Sequence, residues 1–453
     1  MTALPRLQRD ESCPPAPIRI LHLGLGNFFR AHQAWYTANA PDSSEWGIAA
    51  FTGRRPDMAR ALAPQDGLYT LVTRAPSEDE LQLITSVSAV HTASDHASWL
   101  EYFRSPDVAI VTITVTEAGY FFDGEGLAAD PAVESDIEAL GNDPVAPVTT
   151  TPAKLVAGLL ARQAADAGPI TLLPCDNLPE NGAVVRQVVR ECAQRVYPEL
   201  LAWLDENVDF ASAMVDRITP ARSGEDAEIV AEKYGVRDAS PVHTEPFSEW
   251  VMSGSFPGGH PDWEAAGAQI VADVHPYEQR KLLLLNGSHS LLAYAGTAIG
   301  HATVDAAIAD PRCRAWVEEL WDDAAATVPL PAESVESYRA ALLERFSNAR
   351  MSDALARIAM DGSQKIPVRI VPAIITERAA GRLPRGAARA VAAWIAHLRG
   401  IGAPVNDARG ESWQETAAGE PAAAVANVLD RLGIGDDLAL LDAVVEEYAN
   451  FDA

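Results

Sequence analysis

The sequence predicts an α/β fold, with a doubly wound, mostly parallel sheet over residues 1–275 and a mainly α-helical domain over residues 276–453. Three observations lead to this prediction. Short apolar runs alternate with helical patterns in the first part of the chain. The last part carries apolar residues at helical, 3.6-residue spacing. The length of 453 residues exceeds one ordinary core and favours more than one domain.

Five short runs rich in β-branched residues predict buried strands. These runs are residues 18–26, 46–53, 81–90, 108–120 and 169–177. Helical patterns at 151–168 and 182–196 flank the last of them, and such alternation is typical of a parallel sheet with helices on both faces. Between residues 77 and 120 there is little room for helices, so an antiparallel insertion is expected there.

Helical spacing dominates from about residue 275 onward, which places the domain boundary there to within about ten residues. The helical segments are residues 277–300, 312–328, 333–348, 353–362, 372–381, 385–400 and 437–451. The Ala-rich stretch 410–429 predicts a loop followed by a helix. Residues 1–17 are polar and Pro-rich, which favours a loose arm.

Charge and cysteine content exclude several classes of partner. The net charge of −28 repels phosphate backbones and anionic membranes, so a small-molecule partner is favoured over nucleic acid or lipid. No signal peptide or membrane-spanning run is apparent. Cys13, Cys175, Cys192 and Cys313 form no CxxC pair, so no metal site is expected and a cytoplasmic location is favoured. A monomer or small homo-oligomer is expected.

A glycine pair follows the first predicted strand and precedes a helix-like stretch. Gly24 and Gly26 would let the backbone approach a pyrophosphate at a helix N-terminus. The third glycine of a GxGxxG pattern would fall at Phe29, so a plain strand–turn–helix remains an alternative. Arg30 could meet a phosphate, or could be a solvated helix residue.

The end of the second strand bears on cofactor choice. An acidic residue there would accept a hydrogen bond from a ribose 2′-hydroxyl and select NAD. The sequence offers Thr52, Gly53, Arg54 and Arg55 instead. Two arginines could hold the 2′-phosphate of NADP, or they could line a solvent-exposed loop. Both alternatives stay open.

Four polar residues share one side of an otherwise apolar predicted helix. At 100° per residue, Glu278, Lys281, Asn286 and His289 fall within an arc of roughly 140°. Such residues are costly to bury unless they are paired, and the alternative is that this side faces water. Asp176 and Asn177 end a predicted strand, where side chains point into a ligand crevice, although Asp-Asn is also turn chemistry.

These residues can carry out alcohol oxidation, which needs a base, a hydride acceptor and donors to the developing alkoxide. A lysine serves as base only if its pKa falls from about 10.4 towards roughly 7–8, and burial and neighbouring cations both lower it. Arg357 and Lys365 are candidate cationic neighbours of Lys281. The amides of Asn177 and Asn286 could donate to the substrate oxygen, and this scheme needs no metal.

Several segments resemble the mannitol dehydrogenase family of long-chain polyol dehydrogenases, which includes mannitol 2-dehydrogenase and fructuronate reductase. The resemblance covers residues 18–450, and Lys281-x4-Asn286-x2-His289 is its specific signature. It rests on GLGNFFRAH (24–32), QDGLYTLV (65–72), TEAGY (116–120), CDNLPENG (175–182), VDRITP (215–220), YEQRKLLLLNGSH (277–289) and RFSN…RIAMDGSQKIP (345–367).

The resemblance implies a Rossmann-type dinucleotide-binding domain followed by a helical substrate and catalytic domain. It implies that Lys281 is the general base, that Asn177 and Asn286 form the oxyanion hole, and that His289 binds substrate. Asp216, Arg357 and Lys365 are implied to bind substrate, and Glu278 to relay the proton. The expected cofactor residues are Gly24, Gly26, Phe28, Arg30, Thr52, Arg54 and Arg55.

The function expected from this resemblance is hydride transfer between NAD(P) and a secondary alcohol of a polyol, with mannitol and fructose as the favoured pair. NAD is the favoured cofactor, and Arg54 and Arg55 leave NADP open. The alternative activity is that of a fructuronate or tagaturonate reductase, because Arg357 and Lys365 could pair with a carboxylate. The other alternative is a non-catalytic nucleotide-binding protein. The candidate base Lys281 argues against it, because such a protein would not need a base.

Overall fold

The computed structural model describes residues 4–220, 224–351 and 353–451. The chain forms two compact units, Met1–His275 and Pro276–Ala453. The first unit contains the sheets, and the second is helical.

A six-stranded parallel sheet is the centre of the first unit. The strands of this unit are β1 (Ile18–Leu23), β2 (Gly47–Phe51), β3 (Tyr69–Arg74), β4 (Asp79–Ile84), β5 (Val87–His91), β6 (Ile110–Ile113), β7 (Ile170–Pro174), β8 (Val208–Phe210), β9 (Ser212–Asp216), β10 (Val242–Thr244), β11 (Glu249–Ser253) and β12 (Gln269–Ile270). The central sheet has the order β5-β2-β1-β6-β7-β8, and every neighbouring pair is parallel. This is a doubly wound order, in which the direction of winding reverses between β1 and β6. The predicted doubly wound sheet is confirmed.

Apolar side chains cover both faces of this sheet. The helices of the unit are α1 (Asn27–Ala31), α2 (Gln33–Asn39), α3 (Asp57–Leu62), α4 (His96–Phe103), α5 (Pro131–Asn142), α6 (Thr151–Ala165), α7 (Asn181–Val196), α8 (Leu200–Asn207) and α9 (Glu225–Tyr234). Leu21 and Leu23 of β1 join one core with residues of α4 to α8, whereas Ile20 joins the other with residues of α1 and α2. Alternating side chains of one buried strand therefore serve two cores.

The antiparallel pairing lies earlier in the chain than predicted. β3 pairs antiparallel with β4, while β5 pairs parallel with β2 in the central sheet, and α4 lies between β5 and β6. The run 81–90, predicted as one strand, is thus divided between two sheets. Ser86 marks the division, because its hydroxyl donates to the Ala34 carbonyl at 2.7 Å and its carbonyl accepts from the Ile48 amide at 2.8 Å.

The predicted loose arm is docked on the first unit. Residues 1–3 lie outside the described residues, but the Arg9 guanidinium donates to the carbonyls of Thr85 at 2.6 Å and Val87 at 2.9 Å. The Leu7 amide donates to the Arg237 carbonyl at 3.1 Å. The polar composition of residues 1–17 suggested a loose arm because it offers little apolar burial. Hydrogen bonds to backbone carbonyls hold the segment in place instead.

The second unit is helical, but its first long helix is not a regular α-helix. Its helices are α10 (His275–Arg280), α11 (Gly287–Leu291), α12 (Val304–Ala309), α13 (Pro311–Ala325), α14 (Ala332–Phe346), α15 (Leu355–Ile358), α16 (Gly362–Arg369), α17 (Val371–Ala379), α18 (Arg385–Leu398), α19 (Gly410–Thr416), α20 (Pro421–Arg431) and α21 (Leu438–Tyr448). Two π-helical segments, π1 (Lys281–Asn286) and π2 (Leu292–Gly296), interrupt the helix predicted over 277–300. Residues 410–429, predicted as a loop and a helix, contain α19 as well as α20.

Candidate active site

The two glycines after β1 have different physical reasons to be glycine. Gly24 has φ +113°, and a Cβ there would lie 2.3 Å from the Thr114 carbonyl oxygen, so only glycine fits. At Gly26 a Cβ would meet nothing closer than the Gly24 carbonyl oxygen at 3.5 Å. The protein's own packing therefore does not require glycine at position 26. The backbone at position 26, at the start of α1, is therefore open to close approach from outside, which is what the Rossmann arrangement requires at this place in the turn.

A buried histidine beneath this turn was missed by the sequence analysis. His22 is fully buried in β1, its Nε2 donates to the Thr114 hydroxyl at 3.0 Å, and that hydroxyl donates to the Gly24 carbonyl at 3.0 Å. The Thr112 hydroxyl lies 2.9 Å from His22 Nδ1. Burial lowers the pKa of His22 to about 3, so the ring is neutral and supports the glycine turn as a donor. A histidine within the apolar stretch 20–23 was the only sequence signal.

Direct cofactor contacts by Arg30 and Thr52 are not supported. Arg30 is fully buried, and its guanidinium donates to the carbonyl of Gly26 at 3.2 Å, to Asn27 Oδ1 at 2.8 Å and to the Ser240 carbonyl. It is neither a solvated helix residue nor open to a phosphate. Thr52 is 1% exposed, and its hydroxyl accepts from the Ala93 amide at 3.0 Å. Both side chains are buried and form their hydrogen bonds within the protein.

The remaining cofactor candidates are accessible. Arg54 and Arg55 are exposed in the turn between β2 and α3. Their position agrees with both alternatives, a 2′-phosphate contact or a solvated loop. Phe28 is half-buried beside the glycine turn, and its ring stacks on His32 with centroids 5.0 Å apart.

At the carboxyl end of β7, a buried carboxyl group and a tyrosine hydroxyl are hydrogen-bonded to each other beside Asn177, the predicted oxyanion donor. The Tyr120 hydroxyl donates to the Asp176 carboxylate, and the Leu178 amide donates to Asp176 Oδ1 at 2.9 Å. Burial raises the pKa of Asp176 to about 6 and raises the pKa of Tyr120 well above its usual range. Asn177 follows directly and is exposed, whereas Asp216 is buried at the end of β9.

Asp176 is expected to make stability depend on pH. Its pKa in the folded state, about 6, lies above the unfolded value of about 3.9, so its contribution is full below about pH 4 and is lost as pH rises through 6. Relative to the unchanged chain, Asp176→Asn should therefore gain stability on the order of 1 kcal/mol between pH 5 and pH 7.5. Urea unfolding at both pH values measures this difference. Asp107→Asn, at an exposed position, is the control, and equal pH dependence of all three proteins would contradict the assignment.

Lys281 and Asn286 are the first and last residues of π1. The Gly287 amide donates to the Leu282 carbonyl five residues back, the spacing that defines a π-helix. The angular positions predicted from 100° per residue are therefore wrong across this segment. Because residues five apart meet across a π turn, Lys281 and Asn286 lie closer on the helix surface than the α-helical estimate allowed. Both are half-buried.

The other predicted substrate residues of the second unit lie in different settings. His289 packs against Phe346 of α14 with ring centroids 5.1 Å apart, a contact the sequence analysis missed. Arg357 is 64% exposed and forms an ion pair with Asp353. Lys365 Nζ donates to the carbonyl of Ile358 at 3.1 Å, at the end of α15, and burial lowers its pKa.

Within residues 4–220, 224–351 and 353–451, no cluster of three or more His, Cys, Asp or Glu is arranged to hold a metal ion. Across the same ranges, no helix has the length and apolar character needed to cross a bilayer.

Family comparison agrees with the fold and with the motifs. Residues 18–265 match the model of the mannitol dehydrogenase Rossmann domain, and residues 273–451 match that of the mannitol dehydrogenase C-terminal domain. The chain belongs to the mannitol dehydrogenase family. The recognition made from the motifs is therefore confirmed, and so is the fold class. Which residues of this mannitol dehydrogenase family member contact cofactor and substrate stays a prediction.

Two relatives of known name and two solved structures illustrate the range of the family. The chain is 38% identical over 395 residues to D-mannonate oxidoreductase of Escherichia coli (strain K12), covering 84% of this chain and 80% of that protein. It is 37% identical over 390 residues to mannitol 2-dehydrogenase of Cereibacter sphaeroides, covering 84% and 81%.

Among solved structures, a substrate-free D-sorbitol dehydrogenase gives a TM-score of 0.89 at 30% identity, covering 99% of this chain and 96% of that one. The Pseudomonas fluorescens mannitol 2-dehydrogenase, in a ternary complex with NAD and D-mannitol, gives 0.78 at 33% identity, covering 99% and 94%. The mannitol dehydrogenase family thus includes proteins named for polyols and for a sugar acid.

Proposed function

We propose that this chain oxidises a secondary alcohol of an open-chain polyol, and reduces the matching ketose, with Lys281 as the general base. The chain is an NAD-dependent oxidoreductase of the family that acts on polyol or sugar-acid CH–OH groups. The observation that supports the finer proposal is that Lys281 begins and Asn286 ends one π-helical segment, because residues five apart come near each other across a π turn.

The proposed mechanism assigns one task to each group. Neutral Lys281 accepts the proton of the substrate hydroxyl, and the amides of Asn177 and Asn286 donate to the oxygen as it becomes an alkoxide. When bound, NAD supplies the acceptor for the hydride. Glu278, one turn before Lys281 on α10, is proposed to pass the proton onward.

Four residues are proposed to hold the substrate chain. His289, Asp216, Arg357 and Lys365 are the proposed hydrogen-bonding partners of its hydroxyl groups. Hydroxyl groups both donate and accept, so a mixed set of cations, an acid and an imidazole suits a polyol.

The glycine turn is proposed to hold the dinucleotide. The open space beside Gly26 would take the pyrophosphate, and Phe28 and the exposed pair Arg54 and Arg55 would border the rest of the cofactor. Gly24, with its positive φ, fixes the shape of this turn rather than adding a contact of its own.

One observation favours a polyol over a sugar acid. A substrate carboxylate would need an unneutralised cation, but the Arg357 guanidinium is already paired with the carboxylate of Asp353. The Lys365 ammonium donates to the backbone carbonyls of Ile358 and Met360, which are neutral and leave its charge in place, so the preference rests on Arg357. Binding a carboxylate at Arg357 would therefore compete with an existing ion pair, whereas hydroxyl groups could accept from its other N–H groups without displacing Asp353.

A substrate panel tests this proposal. Absorbance at 340 nm is followed with NAD or NADP and with mannitol, arabinitol, mannonate or altronate. We expect the polyols to give the higher kcat/KM, and NAD to be preferred over NADP. A clear preference for mannonate or altronate would replace the polyol assignment with the sugar-acid alternative. No absorbance change with any pair would favour a non-catalytic nucleotide-binding protein.

We further propose a cytoplasmic location and a monomer or small homo-oligomer. All four cysteines are free thiols, and three of them are buried, which suits a reducing compartment.

A further inference from the structure

Two backbone carbonyls of π1 accept hydrogen bonds from side chains, and in each case one of the donors lies on a different helix. A change of hydrogen-bond spacing within a helix disturbs the matching of amides and carbonyls, and polar side chains that insert there can restore it. The two carbonyls are those of Leu284, inside π1, and Asn286, at its end.

The Leu284 carbonyl accepts from two buried side-chain donors as well as from the Gly287 amide. The Ser288 hydroxyl donates to it at 2.6 Å, and the indole Nε1 of Trp321, on α13, donates to it at 3.1 Å. The same indole N–H lies 2.7 Å from the Ser288 hydroxyl oxygen. Ser288 and Trp321 are 0% and 1% exposed, so water cannot replace either donor.

The Asn286 carbonyl is held in the same manner. The Ser290 hydroxyl donates to it at 3.1 Å, and Nη1 of Arg369, the last residue of α16, donates to it at 3.3 Å and to the Ser290 hydroxyl oxygen at 3.2 Å. The helix backbones also approach closely here, because a Cβ at Gly287 would lie 3.4 Å from the Arg369 carbonyl oxygen.

Each of the two carbonyls is thus bound by a serine of the same helix and by a long side chain of a neighbouring helix. Serine alone bonds back to the carbonyl four residues earlier in many helices, and this bends a helix without fixing it. The indole and the guanidinium add an anchor outside the helix. Together they fix both the middle and the end of π1 relative to α13 and α16.

We propose that Trp321 and Arg369 are positioning residues. They keep π1 in its π-helical conformation, so that the Lys281 amine and the Asn286 amide meet the same substrate oxygen. Loss of either anchor would let the segment relax towards α-helical spacing and rotate Asn286 away from Lys281. This inference rests on the roles proposed above for Lys281 and Asn286.

The test uses Arg369→Met and Trp321→Phe, which remove the donors and keep most of the side-chain volume. We expect kcat to fall by about 10²-fold in each, because a displacement near 1 Å at reacting groups has that effect. The KM for substrate and the Kd for NAD should change little, and kcat is expressed per NAD-binding molecule so that a loss of folded protein cannot account for the fall. Guanidinium ion at millimolar concentration should partly restore kcat in Arg369→Ala and leave Trp321→Phe unaffected.

Arg389→Met is the matched control. Arg389 is also a buried arginine of the second unit, but it pairs with Glu447 and Glu319. Its replacement should lower the denaturation midpoint without lowering kcat per NAD-binding molecule. If Arg369→Met does not fold, Trp321→Phe decides the question alone.

Lys281→Ala, measured alongside, separates this inference from the proposed function. Unchanged kcat in Trp321→Phe and Arg369→Met, with Lys281→Ala inactive, would overturn the positioning roles and leave the mechanism standing. A fully active Lys281→Ala would overturn the mechanism itself.

Discussion

Replacing Lys281 with alanine is expected to lower kcat by about 10²–10⁴-fold, the usual contribution of general-base catalysis. The physical reason is that no other group in the proposed scheme accepts the hydroxyl proton directly. Binding of NAD should not change, because the proposed cofactor contacts are at Gly26, Phe28, Arg54 and Arg55. Steady-state kinetics with mannitol, and NAD titration by fluorescence, measure the two quantities.

The chain offers a matched control for this experiment. Lys233 is an exposed lysine at the end of α9, and Lys233→Ala removes the same number of atoms without touching the proposed site. It should keep the rate of the unchanged protein. An unchanged rate in Lys281→Ala as well would remove Lys281 from the mechanism.

The second large effect is expected at the two asparagines. Asn177→Asp and Asn286→Asp keep the shape of the side chain but replace an N–H donor with an oxygen that repels the developing alkoxide. Each should lower kcat by about 10²–10³-fold, the typical loss for one oxyanion donor. The Kd for NAD should stay near its original value, and single-turnover kinetics would locate the loss in the chemical step.

Asn142→Asp is the control for charge and for the Asn-to-Asp change itself. Asn142 ends α5, is exposed, and its amide donates to the Glu138 carbonyl at 3.0 Å. If either site variant retained the rate of this control, that asparagine would not be an oxyanion donor.

Much of the fold was predictable because it depends on local patterns. Short runs of β-branched residues located β1, β2, β6 and β7, and helical spacing separated the second unit from the first. The division of residues 81–90 between two sheets was not predictable, because the hydroxyl of Ser86 finds its partner, Ala34, 52 residues away. The docking of the N-terminal arm depends in the same way on distant carbonyl groups.

The site was predictable in its composition but not in its geometry. The signature Lys281-x4-Asn286-x2-His289 named the residues. A helical wheel with α-helical spacing gave wrong angles for them, because Trp321 and Arg369 keep π1 in its π-helical conformation. Those two anchors lie 35 or more positions along the chain from Asn286, and no spacing rule connects them to it. Arg30 was misjudged for a related reason, since its partners include the carbonyl of Ser240.

The pH dependence of kcat/KM for polyol oxidation addresses the role of the Lys281 amine most directly. Between pH 6 and 10, the unchanged protein should become faster through a single ionisation below about 10.4, the ordinary value for lysine. In Lys281→Ala that ionisation should vanish and leave a low, level rate. If both proteins rise along the same curve, the proton is taken by some other group.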